Sequence, residues 1–192
     1  ILADDARIPV EGGGGEGRGG RAAMAPPGGG RPGGPARVPR PEHAYAVTAK
    51  DLEAFEGFVR GGGTVVCFNN ACRFVIQQFK LPVKNVVEGM KPEEFFLRGS
   101  IVEVTTNTIH PLMAGMPEKT AVFVDGSPVF ETLEGFRGTV LAKYQETGSP
   151  LLSGYLIGEK LLQGKAAALD VELDQGHVVL LGFRPEWRAQ PF

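Results

Sequence analysis

Thr48-Ala-Lys-Asp-Leu-Glu-Ala-Phe-Glu-Gly-Phe-Val-Arg-Gly-Gly-Gly-Thr-Val-Val-Cys-Phe68 is the stretch that decides the fold class. Thr48-Ala-Lys-Asp51 has the form of a capping box, with Asp in place of the usual Glu. Its hydroxyl and carboxylate can each take a backbone N–H that the first turn of a helix leaves open. Leu52, Phe55, Phe58 and Val59 then recur at helical spacing, and Gly61-Gly62-Gly63 stops the helix. Thr64-Val-Val-Cys-Phe68 follows as a short, β-rich apolar run of the kind found in a buried parallel strand. Helix, glycine turn and buried strand make half of a doubly wound α/β unit.

Working outward, Asn69-Asn70-Ala71 reads as a turn and Cys72 to Phe79 as a short helix, closed by Leu81-Pro82. Strand patterns then take over at Ser100 to Thr106, Ala121 to Val124, Thr139 to Tyr144 and Ala166 to Leu173. The last joins His177 to Phe183 across Asp174-Gln175-Gly176, which reads as a C-terminal β-hairpin. Upstream the composition changes. The first 47 residues hold 12 of the 28 glycines and 7 of the 15 prolines, too few apolar groups to offset the entropy of ordering them. Residues 1–8 are read as the end of a strand, 9–47 as a Gly/Pro-rich loop or linker, and 48–192 as the α/β domain.

The totals narrow the function. A length of 192 residues suits one α/β domain, and 42% hydrophobic residues can build a core. A net charge of -2 argues against a nucleic-acid binder. Arg18, Arg21, Arg31, Arg37 and Arg40 lie among acids and without aromatic residues for stacking, so they read as a solvated loop. No run approaches the roughly 20 apolar residues of a membrane span. A start at Ile1, with no charged leader, points to a processed product or an excised piece. Cys67 and Cys72, five apart, form neither a disulfide framework nor a four-ligand zinc spacing, and no cofactor is expected in this chain.

Chemistry in an α/β fold gathers at the carboxyl ends of the strands, here the turn after Phe68. Cys72 could be a thiol nucleophile at a helix N-terminus, where the dipole and Arg73 would favour the thiolate. The plainer reading, which is preferred, has Cys72 facing inward as a small hydrophobe, because Asn and Arg fit a nucleophile elbow poorly. Cys67 reads as core. A base for Cys72 would have to be His43, His110 or His177. His43 borders the loop, His110 leaves a strand into a turn, and His177 follows the hairpin turn, where a histidine is usually surface filler. None stands where a base is expected, although His110 is carried as a candidate. Asn69, Asn70, Arg73 and Arg184 could line a polar pocket for a carboxylate or a sugar.

Leu180-Leu-Gly-Phe-Arg-Pro-Glu186 resembles the closing motif of class I glutamine amidotransferases, Gly-x-Gln-Phe-His-Pro-Glu. In that family the histidine is the general base and the glutamate orients it. Here Arg184 takes the histidine's place, and a guanidinium cannot accept a thiol's proton. Glu186 is then expected to pair structurally with Arg184 or Arg188. A closer resemblance spans residues 48 to 192 through six blocks in order. These are Phe58-Val-Arg-Gly-Gly-Gly-Thr-Val66, Leu81-Pro-Val-Lys-Asn-Val86, His110-Pro-Leu-Met-Ala-Gly-Met-Pro117, Pro150-Leu-Leu-Ser-Gly-Tyr155, Gly164-Lys-Ala-Ala-Ala168 and Gly182-Phe-Arg-Pro-Glu-Trp-Arg-Ala-Gln190. Together they resemble the amidotransferase-like domain that follows the catalytic domain in a group of bacterial zinc carboxypeptidases.

That resemblance implies a flavodoxin-like or amidotransferase-like α/β sheet with helices on both faces, its first strand-and-helix units lying upstream of Ile1. It implies a parent metallopeptidase whose zinc sits in an upstream domain, and a secreted or periplasmic location. The expected function is a non-catalytic accessory domain, a pseudoenzyme that packs on the peptidase domain of the same polypeptide or mediates self-association as a homo-oligomer. The alternatives are a thiol hydrolase or amidotransferase using Cys72, and a small-ligand binding module with Asn69, Asn70, Arg73, Arg184 and Glu186. Phe95-Phe96 and Pro150 to Tyr155 are candidate contact surfaces, although ordinary core is the preferred reading of both.

Overall fold

A computed structural model of the chain describes residues 47–185. Helix α1 runs Ala49–Arg60, and the capping box is formed at both of its bonds. The Thr48 hydroxyl accepts from the Asp51 N–H at 3.2 Å, and the Asp51 carboxylate accepts from the Thr48 N–H at 2.9 Å. At the other end Gly62 donates to Val59 O and Gly63 to Phe58 O, the paired bonds of a Schellman motif. That motif needs a residue with positive φ, and Gly62 supplies it at +107°. Strand β1, Thr64–Phe68, leaves directly from this stop. Asn69, at φ +46°, turns the chain into α2, Ala71–Gln78.

Strand β1 pairs in parallel with the last strand, β11, Gly176–Leu181, and every other pairing in the sheet is antiparallel. Ala166–Leu173 is joined to β11 by the two-residue turn Asp174-Gln175, a connection that only an antiparallel pairing allows. The strand order is β1-β11-β10-β7-β4-β5, with β10 at Ala166–Leu173, β7 at Gly138–Lys143, β4 at Ser100–Thr106 and β5 at Lys119–Val124. Shorter strands branch from it. The pair of β2, Val83–Asn85, and β6, Phe130–Thr132, reaches β10 at Ala166, while β8, Leu151–Ser153, joins β4. A separate ribbon joins β3, Phe96–Leu97, to β9, Leu156–Ile157.

Alternation along the strands divides the core in two. Val65, Cys67, Leu169, Val171, Val178 and Leu180 face α1 and α2, and meet Val59, Ala71, Cys72 and Val75 there. Both described helices lie on this face. The second face gathers Val102, Val104, Leu141, Tyr144, Val179 and Phe183. It is covered by the loops that carry Met113 and Leu162 and by the β3–β9 ribbon, which contributes Leu97 and Leu156. The sheet coils around this second cluster. Arg184, just past β11, donates its backbone N–H to Phe123 O of β5 at 3.1 Å. The α/β class, the central sheet and the C-terminal hairpin are therefore as the sequence indicates.

One expectation about surfaces is corrected: Leu152 and Tyr155, preferred as core, are exposed at 56% and 61%, Leu152 in the three-residue strand β8, which buries no side chain completely, and Tyr155 just past it. Phe95 packs against the second cluster. Phe96 is half-buried, its ring edge-on to Tyr155 at 5.8 Å.

Tyr144 is fully buried in the second cluster, and its hydroxyl has no hydrogen-bond partner among the described residues. A buried hydroxyl without a partner costs desolvation free energy that nothing returns. Tyr144→Phe is expected to be neutral or to stabilise the fold by about 1 kcal/mol, measured by urea unfolding. A loss of that size would show that the hydroxyl has a partner.

Candidate functional site

The turn between β1 and α2 is where an amidotransferase-like nucleophile would stand, and its geometry singles out a different residue. The positive φ falls on Asn69, which is wholly buried, and its N–H extends the parallel ladder to Leu181 O at 2.8 Å. A strained strand-to-helix turn lifts its apex side chain toward substrate, and that apex carries an amide. Asn70 is exposed and begins α2. Cys72 lies one step inside the helix with no exposed surface, and its thiol donates to Cys67 O at 3.3 Å and to Leu181 O at 3.6 Å. Cys67 is equally buried, and burial pushes its thiol up to about 12.

The Cys72–His110 pair is corrected by the sheet itself. Cys72 packs in the first cluster with Leu169 and Val171. Asp170 lies between those two, so its side chain points to the opposite face, and it is Asp170 that His110 meets. The His110 Nε2 stands 3.5 Å from Asp170 Oδ2, while its Nδ1 accepts from the Leu112 N–H at 3.3 Å and caps the one-turn helix Pro111–Met113. The sheet stands between thiol and imidazole.

The two arginines proposed for a strand-end pocket are directed to separate carboxylates. Arg73 is exposed, with Nε 3.2 Å from Glu88 Oε1. Arg184 is largely covered, with Nη2 3.8 Å from Asp125 Oδ2. Coiling of the sheet explains the second contact, because the backbone bond from Arg184 to Phe123 places the side chain over the β5 end. Glu186 and Arg188 lie outside the described residues.

Two further features carry no local signal in the sequence that marks them as sites. A cleft of about 610 Å³ opens between β4, β6, β7 and the start of β10, with Thr105, Asn107, Glu131, Lys143 and Lys165 on its walls. Its lysines are answered locally, Lys143 by Glu146 at 3.0 Å and Lys165 by Glu131, whose carboxyl the Lys165 hydrogen bond holds below its ordinary range. The second feature is the pairing of Asp170 with His177 as well as His110. His177 Nδ1 lies 3.0 Å from Asp170 Oδ1, so one carboxylate, 7% exposed, takes two imidazoles from two other segments. His177 neighbours Val178 of the first cluster, and alternation alone would have placed it on the Asp170 face. Nothing local in the sequence says that Asp170 is its partner. Among the described residues no group of three or more His, Cys, Asp or Glu is arranged to hold a metal ion. No described helix is long and apolar enough to cross a membrane.

No family model matches the chain, and no curated protein matches it either. Solved structures similar to it include a β-galactosidase from Bacillus circulans sp. alkalophilus, at 15% identity and TM-score 0.45, covering 72% of this chain and 18% of that one. A GMP synthase-like protein from Thermoplasma acidophilum matches at 11% identity and TM-score 0.44, over 72% of this chain and 56% of its own. A ThuA-like protein from Parabacteroides merdae matches at 14% identity and TM-score 0.44, over 70% and 54%. The chain thus spans between 18% and 56% of the length of these three structures. With every TM-score below 0.5, the fold rests on the topology described above.

Proposed function

We propose that this chain is a non-catalytic accessory domain of a zinc carboxypeptidase, a pseudoenzyme relative of the amidotransferases that packs on the peptidase domain or joins copies of the enzyme. The parent is suggested by the six sequence blocks in order. The loss of amidotransferase chemistry is carried by one observation. Where that chemistry needs an exposed thiol beside a free base, this chain has a fully buried Cys72 hydrogen-bonded to two carbonyls, and Arg184 beside Asp125. A guanidinium stays protonated and cannot serve as the base, and a thiol without exposed surface cannot meet a substrate unless α2 moves. The ligand-module alternative is weakened because Arg73 and Arg184 meet Glu88 and Asp125.

The exposed apolar side chains of Ile101, Leu152 and Tyr155, around β4 and β8, suit the contact surface that an accessory role requires. Removing residues 48–192 from the parent enzyme is expected to lower its melting temperature or disperse its oligomer, with zinc content unchanged per folded molecule. Loss of zinc from an otherwise folded enzyme would overturn the proposal. Cys72 in the native chain is expected to react with iodoacetamide more slowly than a free thiol; a faster reaction would restore the thiol-hydrolase alternative.

A further inference from the structure

The Asp170 cluster fixes the protons on both of its histidines. An ionised carboxylate only accepts hydrogen bonds, so His177 Nδ1, 3.0 Å from Asp170 Oδ1, carries its proton there. His110 Nδ1 accepts from the Leu112 N–H, so in the neutral ring the proton sits on Nε2, the nitrogen that faces Asp170 Oδ2. Both nitrogens of His110 are therefore engaged. His177 differs: its ring is 44% exposed, Asp170 holds one edge, and its Nε2 has no hydrogen bond among the described residues.

A buried carboxylate that fixes the proton on Nδ1 leaves the lone pair on Nε2 in every molecule whose ring is neutral. The same carboxylate can stabilise the positive charge that appears when Nε2 forms a bond. Free imidazole divides its lone pair between two tautomers and has no such partner. This arrangement owes nothing to the strand-end turn, since His177 is the second residue of β11 whereas Asn69 and Arg184 lie beyond the opposite ends of β1 and β11.

We propose that His177 Nε2, backed by Asp170, is an acyl-accepting modification site for activated acyl compounds such as esters with good leaving groups. In the step, Nε2 forms a bond to the acyl carbon and the bond from that carbon to the leaving oxygen breaks. The leaving group departs with the electron pair, and the resulting positive charge on the ring faces Asp170 through the Nδ1 proton. Water then cleaves the acyl-imidazole, releasing the carboxylic acid and restoring Nε2. The proposal is independent of the accessory role, because it makes no use of Cys72, Arg184 or a parent enzyme.

Diethyl pyrocarbonate acylates imidazole nitrogens that carry a lone pair, and the full 192-residue chain can be treated with it at neutral pH. Mass mapping is expected to find His177 modified about tenfold faster than N-acetylhistidine, with His110 the slower of the two. Asp170→Asn is expected to bring His177 down to the N-acetylhistidine rate or below. Should that variant fail to fold, the comparison of His177 with His110 in the native chain still decides. Modification of His110 at the same rate as His177 or faster, or a His177 rate no higher than N-acetylhistidine, would overturn the assignment. Pretreatment with iodoacetamide should leave the His177 rate unchanged, which separates this site from any thiol chemistry.

Discussion

Gly176→Ala is expected to destabilise the fold by about 3 kcal/mol, toward the upper end for overpacking because the obstacle is backbone. A Cβ built on Gly176 would lie 1.9 Å from Val59 O and 2.4 Å from Gly63 O. Neither oxygen can rotate away as a side-chain tip could. Val59 O accepts the Gly62 bond of the Schellman stop, and Gly63 O accepts from His177 N–H at 3.1 Å. Accommodating one methyl group means moving the end of α1 away from the start of β11, at the point where the parallel pair begins. For a chain of this size the loss corresponds to roughly 6–12 °C in melting temperature. Urea unfolding of the variant should show a lower midpoint at an unchanged slope. A shift worth less than about 0.5 kcal/mol would mean that helix and hairpin are not in register contact in solution.

That glycine illustrates which parts of the fold can be read locally. Thr48 to Phe68 is legible because each signal acts within a few residues: the capping box, the 3.6-residue spacing and the glycine stop all need only near neighbours. The strands Ser100–Thr106 and Ala166–Leu173 match their reading end to end, since six to eight residues are enough to show a pattern. Strands β2, β3, β6, β8 and β9 have two or three residues each. A period cannot be seen in so short a run; these strands exist because a longer neighbour offers them an edge. The sequence marks Gly176 only as a turn residue, because its close approach is to a helix end more than 110 positions away in the chain.

The candidate site divides along the same line. The turn after Phe68 and the Arg184 substitution are visible in the sequence, because an elbow and a closing motif are local patterns. What the side chains do there is not. Arg184 reaches Asp125 because the sheet coils until β5 meets the chain leaving β11, and coiling is a property of the whole sheet. His110, Asp170 and His177 are separated by 60 and 7 positions and meet through alternation on two strands and the capping of a one-turn helix. His177 looks like surface filler after a hairpin turn, and only its partner distinguishes it from one.

Alkaline pH should expose the other property of this core that sequence alone conceals, the burial of two acids. Burial pushes the Cys67 thiol from an ordinary 9.0 up to about 12, and it also raises the Tyr144 phenol above its ordinary 10.0. The sign follows from proton counts. Above pH 9 the unfolded chain releases the Cys67 proton while the folded chain keeps it, so rising pH favours the unfolded state. Stability is full below pH 9 and falls as pH climbs toward the folded value. A tenfold change in acidity is worth about 1.4 kcal/mol, so Cys67 alone implies a loss of about 4 kcal/mol by pH 12, a large share of the 5–15 kcal/mol typical of domains. Above pH 10 Tyr144 adds a second loss of the same sign. Urea midpoints measured from pH 8 to 11 should show Cys67→Ala starting lower, for the lost packing, but declining less steeply between pH 9 and 10 than the native chain, since Cys72 remains buried in both proteins. Lys119, raised by its bond to Glu103, is common to both proteins and cancels in the comparison. Parallel curves for the two proteins would mean that the thiol ionises in the folded state, and hence that water reaches β1 through the α2 face. The same opening would make Cys72, packed in that cluster, accessible to reagents, so the alkaline titration and the iodoacetamide rate must agree.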